Sequence, residues 1–329
     1  MRAPERSANL PARPIAAHFR RMGQSMSALV AFGAMLVAAD ASAQRARQGV
    51  LSLETARIFY EVIGAGEPII VIHGGPGLDH SYLQPGLDAL AIRNTLIYYD
   101  QRGTGRSVAA LDSTAINLDA FISDIDVLRQ ALGYERVNLL AHSWGALLGI
   151  EYAARHPEAT GGLILMNPVE PGTRFSVQLD QRRTAARTPE DSTELAALRA
   201  MEGFAARDPA TLSQAYRVMF RQTLRDRARI EELELDLAES TAKNGPDVAQ
   251  LIGTSIGEVD WWDRLSAIQT PTLVLHGRYD AMPLAMSQAL AAAFPTGRVV
   301  VLESGHFPYL EARDALLSAV SSFFVDLRR

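Results

Sequence analysis

Short continuous runs of apolar residues recur along most of the chain, and helical periodicity follows most of them. Such runs are typical of strands that are buried on both faces of a sheet. The predicted strands are Pro68–His73, Thr95–Asp100, Arg136–His142, Gly162–Asn167, Thr272–His276 and Arg298–Leu302. Because strands and helices alternate, we expect an α/β fold with right-handed crossovers, a mostly parallel sheet and helices on both faces.

Two earlier segments have a different pattern. Val50–Leu53 and Arg57–Ile63 alternate apolar and polar residues and flank a short polar turn. This pattern predicts a β-hairpin, which we expect at an antiparallel edge of the sheet.

The pattern changes between Val169 and about Val259, where apolar strands give way to charged helical segments. This region is predicted to be a helical cap inserted into the α/β core, so the expected domains are a core of residues 48–168 and 261–329 and a cap of residues 169–260. The predicted cap helices are Ser192–Ala206, Thr211–Phe220 and Asp226–Ala242.

The first residues resemble a secretory signal. The apolar run Met26–Ala39 follows two arginines and precedes Ala41-Ser42-Ala43, which has the small-x-small form of a signal-peptidase site. The run is shorter than the ~20 residues that span a bilayer, so we do not expect a permanent membrane helix. We expect residues 1–43 to be a signal peptide that is cleaved after Ala43, which would leave an exported periplasmic or secreted protein.

Composition narrows the classes of partner and chemistry. The net charge is -5, the chain contains a single lysine, and long runs of like charge are absent, so nucleic acid is not an expected partner. The absence of cysteine excludes disulfides, thiolate zinc sites and cysteine nucleophiles. The seven histidines form no motif with metal-ligand spacing. We therefore expect neither a metal nor another cofactor.

Ser143 lies where a predicted strand meets a predicted helix. In Ala141-His142-Ser143-Trp144-Gly145 it is flanked by small residues, which allow the sharp strand-to-helix turn of a nucleophile elbow. The usual pattern is Gly-x-Ser-x-Gly, and alanine at the first position is still small enough. A serine that merely begins a helix is the alternative.

Two further residues lie at strand ends and complete a catalytic pattern. Asp280 follows the strand that ends at His276, and His306 follows the next strand. An imidazole can take the proton of Ser143, and a carboxylate can orient that imidazole and stabilise its charged form. The order serine, acid, histidine is that of α/β hydrolases. Glu170 is the reserve acid, and His142, His276 and His73 are less well placed to act as the base.

A tetrahedral intermediate requires two donors for its oxyanion. We expect one to be the backbone N–H of Trp144, directly after the nucleophile. The other is expected from Gly75 in the glycine loop His73–Gly77. A tight turn without a catalytic role is the alternative for this loop.

Five motifs together resemble the proline iminopeptidase (prolyl aminopeptidase) family of α/β hydrolases. They are His73-Gly-Gly-Pro-Gly77, Asp100-Gln-Arg-Gly-Thr-Gly-Arg-Ser107, His142-Ser-Trp-Gly145, Gly277-x-x-Asp280 and Ser304-Gly-His306. The resemblance covers about residues 50–168 and 261–329. It implies a Ser143, Asp280 and His306 triad with Gly75 and Trp144 as oxyanion donors, and for Asp100 and Arg102–Arg106 we expect a bracing role below the site.

The predicted function is a serine hydrolase that releases an N-terminal residue, preferably proline, from a peptide. Peptidases of this family hold the substrate's α-amino group with cap glutamates, but the residues that bind substrate here are not identified by motif. At least one cap carboxylate is expected to face the pocket above Ser143, from the set Glu170, Glu231, Glu232, Glu234, Glu239 and Glu258. A carboxylic-ester or lactone hydrolase is one alternative, and a catalytically silent ligand-binding protein is the other.

Overall fold

The computed structural model describes residues 46–258 and 260–328. The predicted signal peptide, residues 1–43, lies outside the described residues and stays a prediction. Within the described residues, no helix combines the length and the apolar character that crossing a membrane requires.

The described residues contain one nine-stranded sheet with the strand order β1-β2-β4-β3-β6-β7-β8-β9, and β5 pairs with β2. Neighbouring strands from β4 through β3 to β9 are parallel, whereas β2 is antiparallel to each of its partners. The predicted hairpin at an antiparallel edge is therefore confirmed. The strands are β1 (Arg47–Ser52), β2 (Ala56–Gly64), β3 (Glu67–Ile72), β4 (Asn94–Tyr99), β5 (Val108–Ala109), β6 (Val137–His142), β7 (Thr160–Met166), β8 (Thr272–Gly277) and β9 (Gly297–Leu302).

Helices cover the sheet and fill the segment between β7 and β8, in which the described residues contain no strand. The α-helices are α1 (Gln84–Leu87), α2 (Leu118–Ala131), α3 (Gly145–Arg155), α4 (Ser176–Ala186), α5 (Pro189–Ala200), α6 (Glu202–Ala205), α7 (Pro209–Arg221), α8 (Glu239–Ile256), α9 (Leu284–Ala293), α10 (Pro308–Glu311) and α11 (Arg313–Leu327). Short 3₁₀ helices span Asp88–Ile92, Arg227–Glu232 and Trp262–Ala267.

The central strands are buried on both faces. Ile70 and Ile72 of β3 belong to one hydrophobic cluster, and Ile69 and Val71 belong to the cluster on the opposite face. Successive side chains of a strand point to opposite faces, so a continuous apolar run gives each cluster half of its residues. This is why the central strands are continuous apolar runs in the sequence.

Three predicted helices differ from the observed elements. Asp226–Ala242 is not one helix, because Leu233, Leu235 and Leu237 are more buried than the acids between them, and this period of two belongs to extended chain. The other two helices are interrupted, Ser192–Ala206 at Met201 and the last helix, which the sequence predicts from about Tyr309 to Leu327, at Ala312. Helix α4 is absent from the prediction because it buries no residue and therefore has no apolar face to detect.

The strand order reverses at β3, which places Ser143 at a crevice in the sheet. From β3 the chain continues to β4 on one side and later returns to β6 on the other side. Ligands bind at such a switch point, beyond the carboxyl ends of the strands. The glycine loop follows β3 and Ser143 follows β6, so both lie beside this crevice.

Candidate active site

Ser143 has the strained backbone of a nucleophile elbow. It lies between β6 and α3, and its φ of 55° is in the left-handed region that residues other than glycine rarely adopt. A Cβ on Gly145 would lie 2.5 Å from the carbonyl oxygen of His73, and a Cβ on Gly149 would lie 3.1 Å from the Cβ of Ala141. Close packing of helix against strand therefore explains the small residues of the motif.

The structure brings Ser143, His306 and Asp280 together as the sequence predicts. The distance from Ser143 Oγ to His306 Nε2 is 3.0 Å, and His306 Nδ1 lies 2.7 Å from Asp280 Oδ2. An ionised carboxylate only accepts hydrogen bonds, so His306 Nδ1 carries the proton and Nε2 faces the serine as an acceptor. This arrangement allows the imidazole to remove the serine proton.

Asp280 is held by a residue that the sequence analysis did not single out. Asn167 Nδ2 donates to Asp280 Oδ2 over 2.6 Å, and the backbone N–H of Met282 donates to Asp280 Oδ1. Burial by itself raises the pKa of Asp280, but the charge and hydrogen bond of His306 and the bonds from Asn167 and Met282 outweigh it. The pKa of Asp280 consequently lies below its ordinary value, and the group is a carboxylate at neutral pH.

The segment between β7 and β8 reaches the loops of both His306 and Asp280. His306 N–H donates to the carbonyl oxygen of Thr223, at 2.9 Å, and Arg182 of α4 donates to the backbone carbonyl of Asp280 at 2.6 Å. The carboxylate of Glu311 accepts from the N–H groups of Gly305, Arg225 and Asp226. These contacts were not predicted, because backbone acceptors carry no sequence signature.

The glycine loop passes beside Ser143. A Cβ on Gly74 would lie 3.0 Å from that of Ser143, so the loop and the elbow are in direct contact. Within residues 46–258 and 260–328, the backbone N–H groups of Gly75 and Trp144 donate to no protein acceptor. Both groups are free to bind an oxyanion, and their catalytic role stays a prediction.

The other histidines of the predicted motifs bind neighbouring loops. His142 Nε2 lies 3.0 Å from the carbonyl oxygen of His306. Burial, followed by the nearby charge of His306, lowers the pKa of His142 to about 3. Gln101 N–H donates to His73 Nε2, and Ser287 Oγ lies 2.9 Å from His276 Nδ1. None of these three rings takes the position of the base.

The charged loop after β4 is held by a buried ion pair and by hydrogen bonds, and its role in bracing the site stays a prediction. Arg102 forms a buried two-point ion pair with Asp124 of α2, with distances of 2.7 and 2.5 Å. Asp100 accepts from His80 and from the backbone N–H of Arg106. For the described residues, no group of three or more acidic or histidine side chains is placed to hold a metal ion.

Only one of the six candidate carboxylates of the predicted cap is partly buried. Glu170 is half-buried and accepts from the backbone N–H of Phe175, and burial is the main cause that raises its pKa. It follows Val169, whose N–H donates to the carbonyl oxygen of Ser143 at 3.2 Å. The other five are exposed, namely Glu231, Glu232, Glu234, Glu239 and Glu258.

Comparison with known proteins identifies the family. The family model for the alpha/beta hydrolase fold matches residues 67–313, which is most of the chain. The chain belongs to the α/β hydrolase family. Because this model matches most of the chain and the similar proteins are named as hydrolytic enzymes, the protein is a hydrolase.

Similar proteins include several proline iminopeptidases. This hydrolase is 28% identical over 288 residues to the proline iminopeptidase of Heyndrickxia coagulans, a match that covers 84% of this chain and 98% of the relative. It is 28% identical over 274 residues to that of Saccharolobus solfataricus, covering 80% and 86% of the two chains. The crystal structure of proline iminopeptidase from Mycobacterium smegmatis superposes with a TM-score of 0.67 at 26% identity, covering 85% of this hydrolase and 98% of that chain.

Proposed function

We propose that this hydrolase cleaves acyl bonds through a covalent intermediate on Ser143. The observation that carries the proposal is the pair of contacts from Ser143 to His306 and from His306 to Asp280, at 3.0 and 2.7 Å. These distances lie within hydrogen-bond reach, as a nucleophile, its base and the orienting acid require.

In the proposed reaction, Ser143 Oγ attacks the carbonyl carbon of the substrate while His306 Nε2 takes the serine proton. The N–H groups of Gly75 and Trp144 stabilise the resulting oxyanion. His306 then gives its proton to the leaving amine or alcohol, and the acyl group remains on Ser143. A water molecule attacks this ester, His306 takes the water's proton and returns it to Ser143, and the carboxylic acid is released.

As the preferred substrate we propose a peptide with a free N-terminal residue, preferably proline. The relatives named proline iminopeptidase support this choice. A buried α-ammonium group requires a partner charge, since an unpaired one costs several kcal/mol. We propose Glu170 as that partner, because it is partly buried and lies next to Val169, which contacts Ser143.

The first test is the nucleophile itself. Ser143→Ala is expected to abolish labelling by a fluorophosphonate probe and to lower turnover of proline arylamides and short aryl esters by about 10⁴- to 10⁶-fold. The same substitution at Ser304, a buried serine outside the triad, is the control for stability. Wild-type turnover in Ser143→Ala would disprove the triad, and a native protein that neither labels nor turns over substrate would favour the silent ligand-binding alternative.

The second test concerns the amino group of the substrate. Glu170→Gln is expected to lower kcat/KM for proline arylamide by roughly 30-fold, which corresponds to about 2 kcal/mol, because it removes the charge that pairs with the ammonium. Turnover of a neutral aryl ester should change little. Glu231→Gln, in an exposed carboxylate of the same set, is the matched control.

The ester or lactone alternative predicts a different outcome. Five of the six cap carboxylates are exposed, and an enzyme for neutral substrates has no need of a buried one. Equal turnover of free and N-acetylated proline arylamides would show that the amine is not recognised. That result would leave a general esterase, lactonase or amidase as the function.

A further inference from the structure

Buried hydrogen bonds connect the glycine loop to the loop that carries His306. The N–H of Gly74 donates to the hydroxyl oxygen of Tyr82 over 2.7 Å. The same hydroxyl lies 2.8 Å from His142 Nδ1, and His142 Nε2 lies 3.0 Å from the carbonyl oxygen of His306. Tyr82, His142 and His306 are each at most 5% exposed, so water does not compete for these bonds.

In this series of hydrogen bonds, the groups at its two ends determine which atom donates and which accepts in each bond. The carbonyl of His306 can only accept, so His142 Nε2 carries the proton and Nδ1 holds a lone pair. The oxygen of Tyr82 accepts from Gly74, and its own O–H donates to Nδ1. Burial keeps the pKa of His142 at about 3, so the imidazole remains neutral and keeps this arrangement at neutral pH.

We propose that Tyr82 and His142 are positioning residues that hold the predicted oxyanion donor and the base at a fixed separation. Gly75 directly follows Gly74, and the ring of His306 contacts Ser143, so both parts of the machinery are attached to the ends of one hydrogen-bonded chain. This proposal rests on the proposed hydrolysis through Ser143. A shift of about 1 Å between reacting groups lowers a rate by about 10²-fold, so such a link has a large effect on catalysis.

Tyr82→Phe removes the central oxygen and leaves the rings in place. The N–H of Gly74 and Nδ1 of His142 then lose their partner, and the imidazole can take the other tautomer, which cannot donate to His306. We expect kcat to fall by about 10- to 100-fold with little change in KM, because a positioning residue acts on the transition state more than on substrate binding.

Tyr309→Phe is the matched control. The ring of Tyr309 is buried in the same aromatic cluster, with its centroid 6.3 Å from that of His142. Its hydroxyl has no hydrogen-bond partner among the described residues. Removing this hydroxyl is therefore expected to leave kcat at the wild-type value.

A second pair of variants tests the chain at His142. Like the imidazole of His142, a glutamine side chain offers an acceptor group for Tyr82 and a donor group for the carbonyl oxygen of His306, whereas leucine offers neither. His142→Gln is expected to retain at least about tenfold more kcat than His142→Leu, a difference that packing alone would not produce. This pair decides the question if Tyr82→Phe does not fold.

The experiment measures kcat, KM, the rate of fluorophosphonate labelling and the thermal unfolding midpoint for all variants and the wild type. The proposal is supported if Tyr82→Phe labels and turns over more slowly than Tyr309→Phe while His142→Gln exceeds His142→Leu. Equal kcat within either pair overturns it, even if the unfolding midpoints differ. If the wild type does not label, the proposed function fails first; if the wild type labels and the pairs agree, only the positioning proposal fails.

Discussion

Two residues at the ends of adjacent strands have the same unusual backbone. Ser143 follows β6 with φ 55°, and Asn167 follows β7 with φ 46°. Each donates its N–H to the neighbouring strand, to Met166 and Leu275 respectively, and so continues the parallel ladder for one more bond. The left-handed turn then directs the hydroxyl of Ser143 toward His306 and the amide of Asn167 toward Asp280.

Asn167→Asp tests the contact with Asp280 without changing the backbone preference, because asparagine and aspartate both tolerate the left-handed region. The substitution replaces a donor with a carboxylate 2.6 Å from Asp280 Oδ2. At neutral pH we expect kcat/KM to fall by about 10- to 100-fold, since two carboxylates so close repel each other unless they share a proton.

The pH profile separates this effect from a simple loss of stability. As the pH falls, one of the paired carboxyl groups binds a proton and can again donate to the other. The ratio of mutant to wild-type kcat/KM should therefore rise toward acidic pH. A ratio that does not depend on pH would contradict the proposed role of Asn167.

At the scale of the elements, helix α8 packs directly on the glycine loop. A Cβ on Gly245 would lie 2.3 Å from the carbonyl oxygen of Gly77, which itself has a φ of +90°. Thr241 of the same helix hydrogen-bonds both Asp79 and the N–H of Gly105. The position of the loop thus depends on backbone contact with a helix of the segment between β7 and β8.

Gly245→Ala is expected to move α8 away from the loop, because the added methyl group overlaps a backbone atom that cannot rotate away. We predict a lower thermal unfolding midpoint and a loss of about tenfold in kcat/KM. Gly253→Ala is the control in the same helix, since its Cβ would meet no atom within 4 Å. It should stabilise the protein by about 0.5–1 kcal/mol without changing activity. Equal effects of the two substitutions would show that the contact with Gly77 has no role.

Across the whole molecule, the features that the sequence predicts best are those in which a residue type has a single physical role, such as an apolar residue in a buried strand. The continuous apolar strands and their order predict the parallel sheet, and Ser143, Asp280 and His306 follow strands whose carboxyl ends meet at one edge. The predicted helix Asp226–Ala242 was wrong. Its many charges resemble those of an exposed helix, whereas its buried leucines alternate with exposed acids, as in extended chain.

The contacts that hold the candidate site together could not be predicted in the same way. Asn167 and Asp280 are 113 positions apart, and Tyr82 and His142 are 60 apart, so no local pattern connects them. The polar groups of Asn167, Tyr82 and His142 find their partners only after β3, β6, β7 and β8 lie side by side. The sequence signal for such contacts is a polar residue at the end of a buried strand. It indicates that a site is present but does not identify the hydrogen-bond partner.

The bond between His306 and Thr223 joins two backbone groups, which matters for anyone who would redesign this enzyme. Exchange of the Thr223 side chain removes its hydrogen bond to the carbonyl oxygen of Phe220 but leaves the backbone bond to His306, so a combinatorial library at this position can change the surroundings of His306 while keeping that bond. A deletion or insertion nearby would instead displace His306 itself. Chimaeras that replace the predicted cap with that of another protein should therefore keep residues 223–226 of the native chain and place their crossovers outside this range.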